Sequence, residues 1–150
     1  MAVQFDIFAT SITTGWTAGT ARTVIEGSGG ANHPPEWCDI HVGNMAATGY
    51  TVVDLCTYTA TGTGSGYTPK RHGQAVGTAE STWKVNMTVE GTGGAVVYSR
   101  IYANPFSLDI SYPLGREFFH AVSTVQGLRV TTSVVPDATH PFVASLMIEE

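Results

Sequence analysis

The stretch "WKVNMTVE", Trp83 to Glu90, sets Trp83, Val85, Met87 and Val89 against Lys84, Asn86, Thr88 and Glu90. Successive side chains of a β-strand point to opposite faces, so this alternation predicts a strand with one apolar and one polar side. Val3, Phe5 and Ile7, interleaved with Gln4 and Asp6, repeat the pattern near the start of the chain. Further strands are expected over Arg22 to Glu26, Glu36 to Val42, Thr51 to Thr59, Ala95 to Tyr102, Phe106 to Ser111, Glu117 to Val122, Leu128 to Val135 and Phe142 to Ile148. Turn clusters such as "GSGGANHPP", "EGTGG" and "VPDATHP" separate them, and Gly, Thr and Pro interrupt nearly every window in which helical periodicity begins. The pattern predicts an all-β chain: one antiparallel β-sandwich, jelly-roll-like, with long Gly-rich loops, a single domain over residues 1–150. Within it "VEGTGGAVVYSRIY", Val89 to Tyr102, reads as a hairpin whose glycines supply the positive φ of a tight turn.

The chain's 150 residues suffice for one core, and 43% of them are hydrophobic. Charged residues make up only 13%, against about 25% in ordinary soluble domains. A surface of Thr, Ser, Gly and Asn lacks the interspersed charge that keeps domains apart, and this points to assembly. A net charge of −5 argues against a nucleic-acid partner, because such affinity rests on Lys and Arg at phosphates. Cys38 and Cys56 belong to no multi-cysteine framework and are expected to be reduced, buried thiols. No basic-then-apolar leader opens the chain and no apolar run approaches the ~18 residues of a membrane span, so the expectation is synthesis in a cytoplasm with no membrane partner.

"TYTATGTGSGYTPKR", Thr57 to Arg71, invites a phosphate-loop reading through Gly62, Gly64, Gly66 and Lys70. It lacks the Gly-x-x-x-x-Gly-Lys-Ser/Thr spacing, and Pro69 stands where a helix would have to begin. A long surface connection is the expectation. Ser65 in "TGSGY" lacks the first glycine of a nucleophile elbow and the helix after it. Glu36, Asp39, Glu90 and Glu117 are acids that a sheet is able to set face to face, as glycoside chemistry requires, although twelve acids make chance pairs easy. Asp39 and His41 share one strand face, while His33, His72, His120 and His140 stand singly, so no metal or other cofactor is expected. Trp16, Tyr50, Tyr58, Tyr67 and Tyr112 suit either a sugar-stacking platform or anchors in cores and interfaces.

"YPLGRE", Tyr112 to Glu117, fits a type I turn with Pro113 second and Gly115 fourth. With the Thr/Gly run leading into "TPKR" and the closing "ASLMIEE", it resembles a group of small Gly/Thr-rich all-β virion proteins of tailed bacteriophages. The resemblance implies a virion component without catalysis: a capsid decoration, or cement, protein that gathers as homotrimers on a shell. Its implied partners are the major capsid protein or another virion protein, and further copies of itself. Thr57 to Arg71 then becomes an arm reaching a neighbour through Thr61, Gly62, Gly64, Gly66, Tyr67, Lys70 and Arg71, the last two meeting carboxylates of an acidic shell. Such an arm is expected to tolerate shortening without loss of the fold. Arg116 is expected to sit partly buried in a bidentate carboxylate pair. A tail or neck component of the virion, a carbohydrate-binding β-sandwich module and a small enzyme stay open as alternatives.

Overall fold

The computed structural model describes residues 3–12, 16–30, 32, 35–72, 79–112, 118–119 and 125–150. Among these residues twelve strands follow one another: β1 (Gln4–Ile12), β2 (Ala21–Ser28), β3 (Glu36–Asn44), β4 (Tyr50–Tyr58), β5 (Thr63–Tyr67), β6 (Lys70–Arg71), β7 (Thr82–Val89), β8 (Ala95–Ala103), β9 (Phe106–Ser111), β10 (Phe118–Phe119), β11 (Val125–Thr132) and β12 (Phe142–Glu149). All their pairings are antiparallel. One sheet has the order β10-β3-β12-β1-β6, with β9 also on β3, and the other the order β5-β7-β2-β11-β4-β8. The expected β-sandwich is present, with no helix among the described residues; jelly-roll connectivity is not established by this strand order.

Alternation decides which side chains fill the space between the sheets. Phe142, Ala144, Leu146 and Ile148 of β12 point inward, as do Phe5, Ile7 and Ala9 of β1. They meet Val53, Leu55, Leu128, Val130, Trp83 and Val85 from the second sheet in one core. Trp37 and Trp83, 6.0 Å apart, join the two layers. The founding strand keeps its expected phase through Val85. Asn86 then adopts a φ of 53°, the β5–β7 register slips, and Met87 is buried against β5 while Val89 is 58% exposed. A residue in the left-handed region turns the strand out of its two-residue period, and the sequence pattern does not register this.

The expected hairpin over Val89 to Tyr102 is not formed. Strands β7 and β8 are separated by β2, β11 and β4, and the connection from Glu90 to Gly94 crosses the end of the second sheet on its outer face. There Thr59 N–H donates to the Thr92 carbonyl (2.9 Å) and Thr92 N–H to that of Ala60 (3.2 Å). Gly91 and Gly94 lie so close to the Tyr58 ring that a Cβ on either would overlap it. These glycines serve close approach to an aromatic ring, where the sequence suggested a chain reversal.

Thr57 to Arg71 is likewise not a long loop. Thr57 and Tyr58 end β4, and the rest contains β5 on the edge of the second sheet and β6 on the edge of the first. Its Thr and Gly content hid two strands, because Gly disfavours strands in isolation but fits where another backbone comes near. The strand expected over Leu128 to Val135 runs from Val125 to Thr132, and of Glu117 to Val122 only Phe118–Phe119 is described, as β10. Arg116, Glu117 and the Pro113–Gly115 turn lie outside the described residues.

Candidate interaction surfaces

Gly62 is gripped from both sides. Its N–H donates to the two Glu26 carboxylate oxygens (3.1 and 3.2 Å), and its carbonyl accepts from Lys84 Nζ (2.7 Å). Glu26 is only 2% exposed, and burial pushes its carboxyl above the ordinary value; the Gly62 hydrogen bond and Lys84 pull the other way. Gly64 leaves room for the Met87 sulfur, whereas Gly66 has open space where a side chain would stand. Tyr67 is half-buried opposite Trp83; burial raises its phenol against a hydrogen bond to the Phe8 backbone. Lys70 then faces Asp6 and Arg71 faces Phe5 across the β6–β1 pair. The segment is therefore a strap from one sheet to the other, and the projecting arm expected from sequence is corrected accordingly. Thr61, Gly66 and Lys70 remain exposed along that side of the sandwich.

Beneath the crossover, Glu90 accepts from Thr23 N–H (2.6 Å), from the Thr23 hydroxyl and from Tyr58 Oη (3.4 Å). Arg129 reaches Asp54 Oδ2 through Nε (3.2 Å) and Nη2 (3.0 Å). These groups satisfy one another on the outside of the second sheet, together with the small buried cluster of Cys56, Tyr58 and Val125. The suggested acid partners are dispersed: Glu90 belongs here, Glu36 faces Glu149 and Asp39 faces Ser111 in the other sheet, and Glu117 is outside the described residues. Asp39 and His41 do share a face, and His41 Nδ1 lies 2.6 Å from Asp109. Among the described residues no group of three His, Cys, Asp or Glu is placed to hold a metal ion. The aromatic platform is not assembled either: Trp16 and Tyr58 are buried, Tyr67 and Tyr112 half-buried, and only Tyr50 of the five is exposed.

The opposite side of the sandwich is where sequence reasoning missed a feature. Among the described residues strand β8 pairs with β4 on one edge only, and Val96, Val97 and Ile101 are 48%, 51% and 71% exposed. Beside it β9 ends the first sheet, carrying Asp109 with 77% of its side chain exposed. The sequence predicts a strand over "AVVYSRIY"; its placement at an edge depends on strand order, which no local pattern encodes. No protein-family model matches the chain, and no curated protein matches it significantly.

Proposed function

We propose that this chain is a non-enzymatic structural protein of a bacteriophage virion, a decoration subunit that binds a capsid shell as an oligomer assembled through its open sheet edges. The observation that carries the reading is β8: nine residues whose outer edge has no partner among the described residues, with three exposed aliphatic side chains and only one charge, Arg100, and one register irregularity, at Val97, to blunt it. Soluble proteins ordinarily blunt such edges with charge, bulges or cover, because an unpaired strand recruits another. Strand addition supplies main-chain hydrogen bonds with little demand on sequence, which suits a surface poor in charge. On the second sheet Glu26 is bonded to Gly62, Glu90 to Thr23, and Asp54 to Arg129, which leaves these groups to hold the sandwich together. A trimeric state, a jelly-roll kinship and residence in the virion belong to the same proposal.

The test is sedimentation of the purified chain with capsids assembled without it. The parent is expected to pellet with the shells, and Ile101→Lys to stay largely in the supernatant while keeping its β-rich spectrum. A parent that stays in the supernatant, or that binds glycans instead, would overturn the reading.

A further inference from the structure

We infer that copies of this chain join head to tail, β8 of one copy adding to β5 of the next so that the second sheet runs on across the boundary. The inference deepens the proposed function and rests on its reading of the open edges. Cross-strand pairing places Gly66, Lys84, Glu26, Gly127, Cys56 and Val96 in one row across the sheet, so the two ends of that row are Gly66 on β5 and Val96 on β8. With four strands between them and every pairing antiparallel, β5 and β8 run in opposite directions. A second copy set alongside in the same orientation therefore offers its β5 antiparallel to β8, the pairing whose hydrogen bonds are best aligned.

The two edges also fit in bulk. On β8, Val96 and Val97 stand about half exposed. On β5, Gly66 has nothing within 4 Å of the place a Cβ would take. The slim edge has room for the neighbour's valines.

Charge chooses the second copy and its orientation. The β8 side of the sandwich carries Asp109 on β9, in contact with His41, and Arg100 on β8, set over the Tyr98 ring; the β5 side carries Lys70 and Arg71 on β6. Lys70 lies in the row of Asp6, Met147, Asp39 and Ser111, two residues along β9 from Asp109, so head-to-tail contact brings acid and base to nearly one level. A two-fold contact between like edges would instead set Asp109 near its own copy, or Lys70 and Arg71 near theirs. Like-charge juxtaposition is what suppresses a wrong pairing.

Facing residues of an antiparallel pair have Cα atoms about 4.5–5.5 Å apart, within the reach of a disulfide. Gly66→Cys and Val96→Cys chains, made separately with Cys38→Ser and Cys56→Ala in both, because Cys56 faces Val96 within the chain, and then mixed under mild oxidation, are expected to form a disulfide-linked dimer, while each alone stays uncrosslinked. Self-crosslinking of Val96→Cys would establish the two-fold contact instead. No link in the mixture, with the parent monomeric at micromolar concentration, would overturn the inference. Lys70→Glu with Arg71→Glu is expected to weaken self-association about tenfold and Asp109→Lys to restore it, a reversal that misfolding does not produce. Failure here with capsid binding intact removes only the head-to-tail contact; crosslinking without capsid binding removes only the virion role.

Discussion

The six-membered ring of Trp83 fills the space that a side chain on Gly27 would occupy, directly across the β7–β2 pair. The indole is held in place by its Nε1–H donating to Ser81 Oγ (2.6 Å), while the Ser81 hydroxyl donates to Glu150 and Trp37 packs nearby. A methyl group at Gly27 therefore forces the ring out of a packed core. Gly27→Ala is expected to lower unfolding free energy by about 1–3 kcal/mol in urea titrations. An unchanged midpoint would show that the ring yields freely.

The pH dependence of stability tests Glu26. Its folded carboxyl titrates above the ordinary value of 4.5, so in the interval between the two the folded state binds more protons than the unfolded one. Stability then falls as pH rises through that interval. Glu26→Gln removes this fall while still offering Gly62 an acceptor. The difference in unfolding free energy, variant minus parent, is expected to grow with pH above about 4.5 and then level off. A difference flat in pH would mean that the carboxyl is not perturbed.

The strap makes a second prediction about stability. Replacing Thr61 to Gly66 by an Asn-Gly turn removes most of β5 and strips Glu26 and Lys84 of their shared partner, Gly62. Leaving a buried ionisable group unpaired costs about 1–3 kcal/mol or more. Loss of the β5–β7 pairing adds to this. The variant is expected to melt at least about 5 °C below the parent, given about 2–4 °C per kcal/mol for a chain of this size. A melt within a degree or two of the parent would restore the sequence-based picture of a dispensable loop.

At one end of the sandwich, fully buried Asn44 joins three connections. Its Nδ2 donates to Thr51 Oγ1 (2.9 Å) and Thr132 Oγ1 (3.2 Å), its Oδ1 accepts from Ala46 N–H (3.0 Å), and Thr51 Oγ1 passes on to Asn104 Oδ1 (2.8 Å). Asn44→Ala leaves several of these groups without partners in a dry site. Calorimetry is expected to find a loss of about 2–3 kcal/mol.

Thiol labelling separates the two cysteines. Cys56 is 1% exposed and burial raises its thiol, whereas Cys38 is half-buried with its Sγ directed to the Glu36 carbonyl. The native protein is expected to lose one thiol to iodoacetamide within minutes and the second only on denaturation. A mass two protons low without reductant would contradict both thiols being present.

Period-two alternation was enough to find most strands, because inward residues such as Phe5, Ile7, Leu146 and Ile148 differ sharply from their neighbours. It failed where a strand's neighbours are unusual. Gly62 and Gly64 are glycines because the Val89–Gly91 backbone and the Met87 sulfur take the space a Cβ would fill, information held in residues far along the chain. The Glu90–Gly94 crossover looked like a turn because a glycine fitted to an aromatic ring and a glycine fitted to a positive φ are the same letter; only Gly93, at 69°, needs the latter. For the same reason Lys70 and Arg71 were legible as an exposed basic pair, but their position opposite the Asp109 side was not, since that depends on which strands end each sheet.

The place of β1 between β12 and β6 bears on how the chain is made. Residues 4–12 leave the ribosome well ahead of their longest partner, residues 142–149. At roughly 5–20 residues per second, the first strand waits on the order of ten seconds with Phe5, Ile7 and Ala9 uncovered, long after local collapse is complete. The second sheet is similarly delayed, because β11 must insert between β2 and β4 before those two are joined. The sandwich closes as a whole only after translation has delivered β11 and β12, so a ribosome-bound chain arrested before residue 125 is expected to be a client of holdase chaperones rather than a partly built fold.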